Sequence, residues 1–407
     1  MSKALFVNML GHGHVNPTIG IVRELINRGE DVTYIAGEEF RDKIEKTGAK
    51  FIGHKNLFDL SSLITSSLNL ETNEKLLNAL NTFKEIIEEI FKLDEKFDYI
   101  IYDSSFVLGG EVGRVLNIPT ISSSSIFAIN EKIIKSLLDL PISQEFKLKM
   151  EGAKPKIKEI LSSHNYVDFV NQLQEKYNIK FPSMVDRSEK KGMLNIVYTS
   201  KYFQPYSESF DESYKFIGSS VIDRKESIDF DLSNDEDKKV IYISLGTIFN
   251  NSIEFYECCF KAFCNMNVKV IMSVGRKIDI SMFKNIPSNF IVRNYVPQLE
   301  VLKYADVFIT HGGMNSTNEG LYFNIPLILI PQSVDQPFVA NRVAELGAGI
   351  VIEKNRITPE ALNKCVAEIL SDDNFRLNSE KIGESLREAG GYKVGVDEII
   401  KLKDSMK

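Results

Sequence analysis

Thr310-His311-Gly312-Gly313-Met314-Asn315-Ser316-Thr317-Asn318-Glu319-Gly320 is the stretch that decides how this chain is read. The largely apolar run ahead of it, 305–310, has the make-up of a buried strand, and the polar, glycine-led residues that follow open a helix. A strand feeding a helix through two glycines aims the helix's unpaired N–H groups, and the positive end of its dipole, at the strand's carboxyl end. Such a place binds phosphate. The glycines let a ligand approach the backbone, while His311 and Ser316 can donate to phosphate oxygens. Glu319 lies one turn beyond Asn315 on the same face, where a carboxylate can grip paired ribose hydroxyls. A plain glycine-rich turn with a Ser or Asn cap fits the spacing too.

Two further strand-to-helix turns flank this one. Ser244-Leu245-Gly246-Thr247 follows an expected strand at 240–244, and Pro331-Gln332-Ser333-Val334-Asp335-Gln336 follows one at 325–330. Asp335 is either the cap of a helix at 336–346 or, with Gln336, a holder of sugar hydroxyls. Expected strands at 268–274, 290–295, 307–310 and 349–352, with a helix at 319–323, complete a second-half alternation.

The first half alternates in the same way. Strands are expected at 4–9, 32–36 and 97–102, and a helix at 17–28 with Asn16 as cap, Pro17 in the first turn and Gly29 past the end. A helix at 39–47 stops at Gly48. A helical stripe runs through 71–95 on Leu76, Leu77, Leu80, Phe83, Ile86, Ile87, Ile90 and Phe91, and 150–177 is a second helical, charged region. Strands alternating with helices make an α/β protein whose parallel sheets are covered on both faces. Between the halves, 221–239 is rich in Asp, Glu and Lys and poor in aliphatics, as a linker is. Two doubly wound, Rossmann-like domains facing across a cleft are therefore expected, with ligands at the carboxyl ends of the strands.

In the first domain Gly11-His12-Gly13-His14-Val15-Asn16-Pro17 joins the first strand to the first helix and is not the dinucleotide GxGxxG pattern. Two of the chain's five histidines sit in this one loop. A neutral imidazole there can take a proton from a hydroxyl. Asp103, at the end of the strand 99–102, can orient the ring and stabilise its charged form. A purely structural histidine is the plainer alternative.

Bulk properties narrow the function. With 407 residues, 43% of them hydrophobic, the chain can build two cores, and a net charge of −7 offers no field for nucleic acid or anionic lipid. Neither a nucleic-acid nor a membrane partner is expected. No apolar run approaches the length of a membrane span and no signal peptide opens the chain, so a cytoplasmic protein is expected. The four cysteines lack metal or disulfide spacing and read as reduced core thiols. Asp229-Phe230-Asp231 and Asp235-Glu236-Asp237 match a DxD metal pattern but lie in the linker, where they solvate the chain. Helix N-terminal charge would replace a metal at a diphosphate, so no metal and no cofactor are expected.

Taken together, these motifs resemble the bacterial macrolide and flavonoid glycosyltransferases of the UDP-glycosyltransferase superfamily, which have the two-domain GT-B fold. The resemblance spans nearly the whole chain and is most specific at 311–320 and 334–340. It implies an acceptor domain at 1–220, a linker at 221–238, a nucleotide-sugar domain at 239–385 and a helical segment, 386–407, packing back on the first domain. By it, His14 is the general base, His12 a variable neighbour and Asp103 the partner of His14. Tyr295-Val296-Pro297-Gln298 matches the motif that holds the donor, with Tyr295 under the uracil where the family commonly has tryptophan; this chain has none. Ser244 and Thr247 face donor phosphate and sugar. His311, Gly313, Asn315 and Ser316 map to the diphosphate, Glu319 to the ribose, and Asp335 with Gln336 to the sugar. The implied enzyme is an inverting hexosyltransferase that moves a sugar, glucose by expectation, from a UDP-sugar to a hydroxyl of a small lipophilic acceptor. The UDP-sugar is then a substrate, and the protein a monomer or homodimer. A catalytically silent sugar-nucleotide-binding subunit and another GT-B enzyme, such as an epimerase or a lipid-linked sugar transferase, are the alternatives. The acceptor pocket is expected to be walled by 56–95 and 130–184.

Overall fold

The computed structural model describes residues 2–9, 11–55, 73–139, 161–181, 191–221, 227, 238–246, 252–332 and 335–406. It divides into two compact units: Met1–Ser220 with Ala389–Lys407, and Val221–Glu388.

In the first unit, seven described strands form one sheet: β1 (Lys3–Val7), β2 (Asp31–Gly37), β3 (Lys50–His54), β4 (Tyr99–Asp103), β5 (Thr120–Ser124), β6 (Leu194–Val197) and β7 (Tyr214–Phe216). All pairings are parallel, in the order β3-β2-β1-β4-β5-β6-β7. β4 is buried along its whole length, as a strand covered on both faces must be. The helices are α1 (His12–Val15), α2 (Thr18–Asn27), α3 (Arg41–Glu45), α4 (Asn73–Lys92), α5 (Gly109–Leu116), α6 (Glu131–Asp139) and α7 (His164–Tyr177). The apolar stripe read from the sequence faces inward on α4, where Leu80, Ile86, Ile87 and Ile90 join Ile100 and Phe106 in the core. The side chains of Leu76 and Leu77 lie outside the described set.

The segment after β1 departs from expectation. Residues 12–15 coil into the short helix α1, and α2 starts at Thr18. Asn16 has helical backbone angles, closes α1 and caps nothing in α2; its side chain accepts from Lys43 Nζ at 2.7 Å. An N-cap needs an extended backbone, which Asn16 does not have.

The second unit has six described strands: β8 (Lys239–Ser244), β9 (Val268–Ser273), β10 (Phe290–Arg293), β11 (Val307–Thr310), β12 (Leu327–Leu329) and β13 (Gly349–Val351). They too are parallel, ordered β10-β9-β8-β11-β12-β13. The helices are α8 (Ile253–Phe263), α9 (Gln298–Leu302), α10 (Met314–Tyr322), α11 (Gln336–Glu345), α12 (Pro359–Ser371) and α13 (Asp373–Glu388). β10 ends at Arg293 rather than 295, because the Asn294 side chain donates to the carbonyls of Gly275 and Ile278 at 2.9 and 2.6 Å and turns the chain. Cys259 is buried, but Cys258 and Cys365 are half-buried and Cys264, just past α8, is exposed, so the cysteines are not all core thiols.

Each sheet reverses its winding once, between β1 and β4 and between β8 and β11. The crevice opened at such a switch point, at the carboxyl ends of the strands, is where ligands of these sheets bind.

A boundary at 385–386 would fall inside α13. The chain turns instead at Gly390 and Gly391, both with positive φ (84° and 64°), and the last helix, α14 (Gly391–Ser405), belongs to the first unit. α14 crosses α2 closely. A Cβ on Gly20 would lie 2.8 Å from the Tyr392 ring, and one on Gly395 2.7 Å from Ile21 Cδ1. Lys403 Nζ reaches Glu30 Oε1 at 2.7 Å, both buried, and Tyr99 donates to Glu30 Oε2 at 3.0 Å. Removing one member of such a pair strands a buried charge. Lys403→Met is expected to destabilise the first unit by about 3–5 kcal/mol in urea unfolding, and the double change with Glu30→Gln to recover most of that loss.

Candidate active site

At the first switch point the turn of α1 brings His14 to the end of β4. His14 Nδ1 lies 2.8 Å from Oδ2 of Asp103, whose side chain is 1% exposed. Ser105 donates to the other oxygen, Oδ1, from its backbone N–H at 2.9 Å and from its hydroxyl. Burial alone would raise the pKa of this carboxyl. The charge that His14 carries when protonated and the hydrogen bonds from His14 and Ser105 outweigh it, and the group stays below the ordinary carboxylate range. An ionised carboxylate only accepts, so Nδ1 carries the hydrogen and the neutral ring presents its lone pair at Nε2. That is the tautomer of a general base.

Ser125 Oγ sits 2.9 Å from the same Nδ1. In a hydrolytic triad the serine meets the opposite nitrogen, so this Ser, His and Asp do not form one. Beneath the pair, Tyr34 and Thr18 hydroxyls lie 2.8 Å apart, and Thr18 donates to Val15 O at 2.8 Å, which ties the start of α2 to α1. Ser105 and Ser125 are absent from the reading of the sequence. Their signal was faint: the serine pair 104–105 after β4, and the run of four serines, 122–125, that ends β5. His12 packs edge-to-face on Phe40, ring centroids 4.9 Å apart.

The second switch point gathers the other set. Ser244 ends β8 and pairs in register with Thr310, the last residue of β11. Gly246 (φ 76°) and Gly312 (φ 79°) take left-handed backbone that a side chain would strain. Between Gly246 and Gly313 lies the His311 imidazole. A Cβ on Gly246 would fall 2.5 Å from its Cε1, and one on Gly313 2.4 Å from its Nε2. The residue as a whole is half-buried, and burial around the imidazole pushes its pKa down to about 4. His311 is thus neutral and meets a ligand with an N–H or a lone pair, not a positive charge.

α10 begins directly after Gly313, with Asn315 and Ser316 half-buried in its first turn and Glu319 buried one turn on. Gln298, at the start of α9, donates to Glu319 Oε2 at 2.5 Å and to Ser316 Oγ at 3.4 Å. Tyr295 is half-exposed, with the Arg276 guanidinium 6.0 Å from its ring centre. Val296 is buried in the core. The β12–α11 turn also arrives here: the Gln336 carbonyl lies 3.4 Å from where a Gly312 Cβ would stand. Asp335 precedes α11 without a capping bond from its side chain, and Gln336 Oε1 accepts from the Gln332 N–H at 2.7 Å. Thr247 lies outside the described residues, as do the two DxD-like stretches. Among the described residues no three His, Cys, Asp or Glu side chains group as metal ligands would, and no helix is long and apolar enough to cross a membrane.

A family model described as the erythromycin biosynthesis protein CIII-like C-terminal domain matches residues 258–389. YdhE of Bacillus subtilis, described as an uncharacterized UDP-glucosyltransferase, is 37% identical over 99% of this chain and all of its own. YjiC of the same organism, an NDP-glycosyltransferase, is 35% identical over 97% of this chain and 95% of its own. The chain belongs to the bacterial glycosyltransferases of the UDP-glycosyltransferase superfamily. Its GT-B fold is that of the calicheamicin glycosyltransferase CalG4, with a TM-score of 0.80, 25% identity and 98% of each chain covered.

A glycosyltransferase takes a nucleotide sugar, and the seat of His311 bears on how this one would hold it. Gly246→Ala adds left-handed strain and a methyl group against the imidazole. UDP affinity measured by calorimetry is expected to fall by about tenfold or more.

Proposed function

We propose that this glycosyltransferase moves a hexose, glucose by expectation, from a UDP-sugar to a hydroxyl of a small lipophilic acceptor such as a macrolide, flavonoid or other phenol, with inversion. The reading is carried by one observation, the buried Asp103 carboxylate bonded to His14 Nδ1 at a switch point. The UDP-glucosyltransferase description of YdhE supports the donor, and the calicheamicin activity of CalG4 supports a lipophilic acceptor.

In this mechanism Nε2 of His14 takes the acceptor's hydroxyl proton as the oxygen attacks the anomeric carbon. Asp103 stabilises the imidazolium that results. The bond from the anomeric carbon to the diphosphate oxygen breaks in the same displacement, which inverts the centre. The negative charge left on UDP is met by the N–H groups at the start of α10, Ser316 and the neutral His311. Glu319 holds the ribose, and Asp335 with Gln336 the sugar. Backbone and hydroxyl donors do here what a metal does elsewhere, so turnover is expected to survive EDTA.

His14→Ala is expected to abolish transfer while UDP affinity stays within a few fold, about 1 kcal/mol or less. Full turnover in that variant would overturn the base assignment. The acid side of the pH profile separates the two histidines. kcat falls as His14 gains a proton, while Asp103, with its depressed pKa, stays ionised. The KM for the UDP-sugar stays level from about pH 5.5 to 8, because His311 takes up a proton only near pH 4. A donor KM that followed histidine titration in that window would contradict a neutral His311.

A further inference from the structure

Tyr242 lies in the middle of β8, 1% exposed, its ring stacked on Phe308 of β11 with centroids 4.9 Å apart and planes 20° from parallel. Its hydroxyl is 3.3 Å from Oε1 of Gln298. The chemistry of the three groups that Gln298 touches leaves its amide one orientation. The Glu319 carboxylate only accepts, so the Gln298 nitrogen faces it, and the amide oxygen faces Tyr242. The phenol must then donate. The amide's second hydrogen points to Ser316 Oγ, which accepts it and turns its own proton elsewhere.

The carboxylate of Glu319 sets the direction of hydrogen bonding across Gln298 and Ser316, and one buried phenol holds the amide's other end in that direction. Two strands and an aromatic stack hold the phenol in place, so that hold is built into the sheet rather than into a loop.

We propose that Tyr242 is a positioning residue for donor recognition, fixing the Gln298 amide so that Glu319 reads the ribose and Ser316 the adjoining phosphate. The inference rests on the assignment of Glu319 to the ribose. Replacing Tyr242 by Phe keeps the stack and removes the donor. Gln298 Oε1 is then left to find another partner, and the amide loses the hold at that end that keeps its nitrogen on Glu319 and Ser316.

The test is calorimetric titration of UDP and 2′-deoxy-UDP into the unmodified protein, Tyr242→Phe, Gln298→Ala and the double variant. Tyr256→Phe serves as control, since it loses a buried hydroxyl bonded to Val274 O in the core of the same unit. Tyr242→Phe is expected to weaken UDP about 3- to 10-fold and 2′-deoxy-UDP less, so that the preference for ribose shrinks. The acceptor KM should hold, and the double variant should be no worse than Gln298→Ala alone. The control should keep the unmodified ratio. If the unmodified protein prefers UDP and Tyr242→Phe keeps that preference, or if the two changes add, the role of Tyr242 fails and the ribose assignment stands. If the unmodified protein does not distinguish the two nucleotides, both fall.

Discussion

A negative charge buried at the end of a strand is the constraint on which the first unit's chemistry depends. Asp103 is almost wholly enclosed, and an enclosed carboxylate survives ionised only when its lone pairs are met. Ser105 meets one oxygen twice and His14 meets the other. The residues that keep the charge ionised are thus the ones that fix the imidazole's tautomer, and the local stability of the site and its basicity have a single cause. α1 follows from the same demand. A loose loop after β1 would leave the ring to wander, whereas a turn of helix closed on Gly11 O, and tied through Thr18 to Tyr34, gives it one place.

The second unit solves a different electrostatic problem with the same strand order. In the proposed function a phosphate must be attracted without a surplus of fixed charge, and the carboxyl end of β11 offers it N–H groups, hydroxyls and an imidazole held neutral by its surroundings. The glycines at 246, 312 and 313 are the steric side of that solution. Two supply backbone angles, and two leave room for the ring. Neutral donors give the site a reach that salt and pH alter less than they would alter a cluster of lysines.

The architecture was legible because buried parallel strands announce themselves. Runs such as 240–244 and 307–310 are apolar up to a last Ser or Thr, and the turns after them carry glycine, serine and histidine where a ligand would approach. What was not legible is polar or distant. β5 reads Thr-Ile-Ser-Ser-Ser and lacks apolar periodicity, although it is paired on both sides and largely buried. Ser125 reaches His14 across 111 positions, and Gly246 makes room for His311 across 65. No local pattern encodes such meetings; the sheet's strand order creates them. The expected cap at Asn16 failed for a local reason, since a glycine- and histidine-rich stretch that reads as a loop instead coils into a helical turn.

The return of α14 to the first unit makes that unit discontinuous along the chain. Its sheet is complete by residue 216, yet the helix that covers α2 and supplies the partner of Glu30 is made after the whole second unit. During synthesis from the ribosome, Glu30 waits for Lys403 across 373 positions, while the second unit, contiguous in sequence, has all its strands in hand earlier. The first part of the chain to emerge is therefore the last to close.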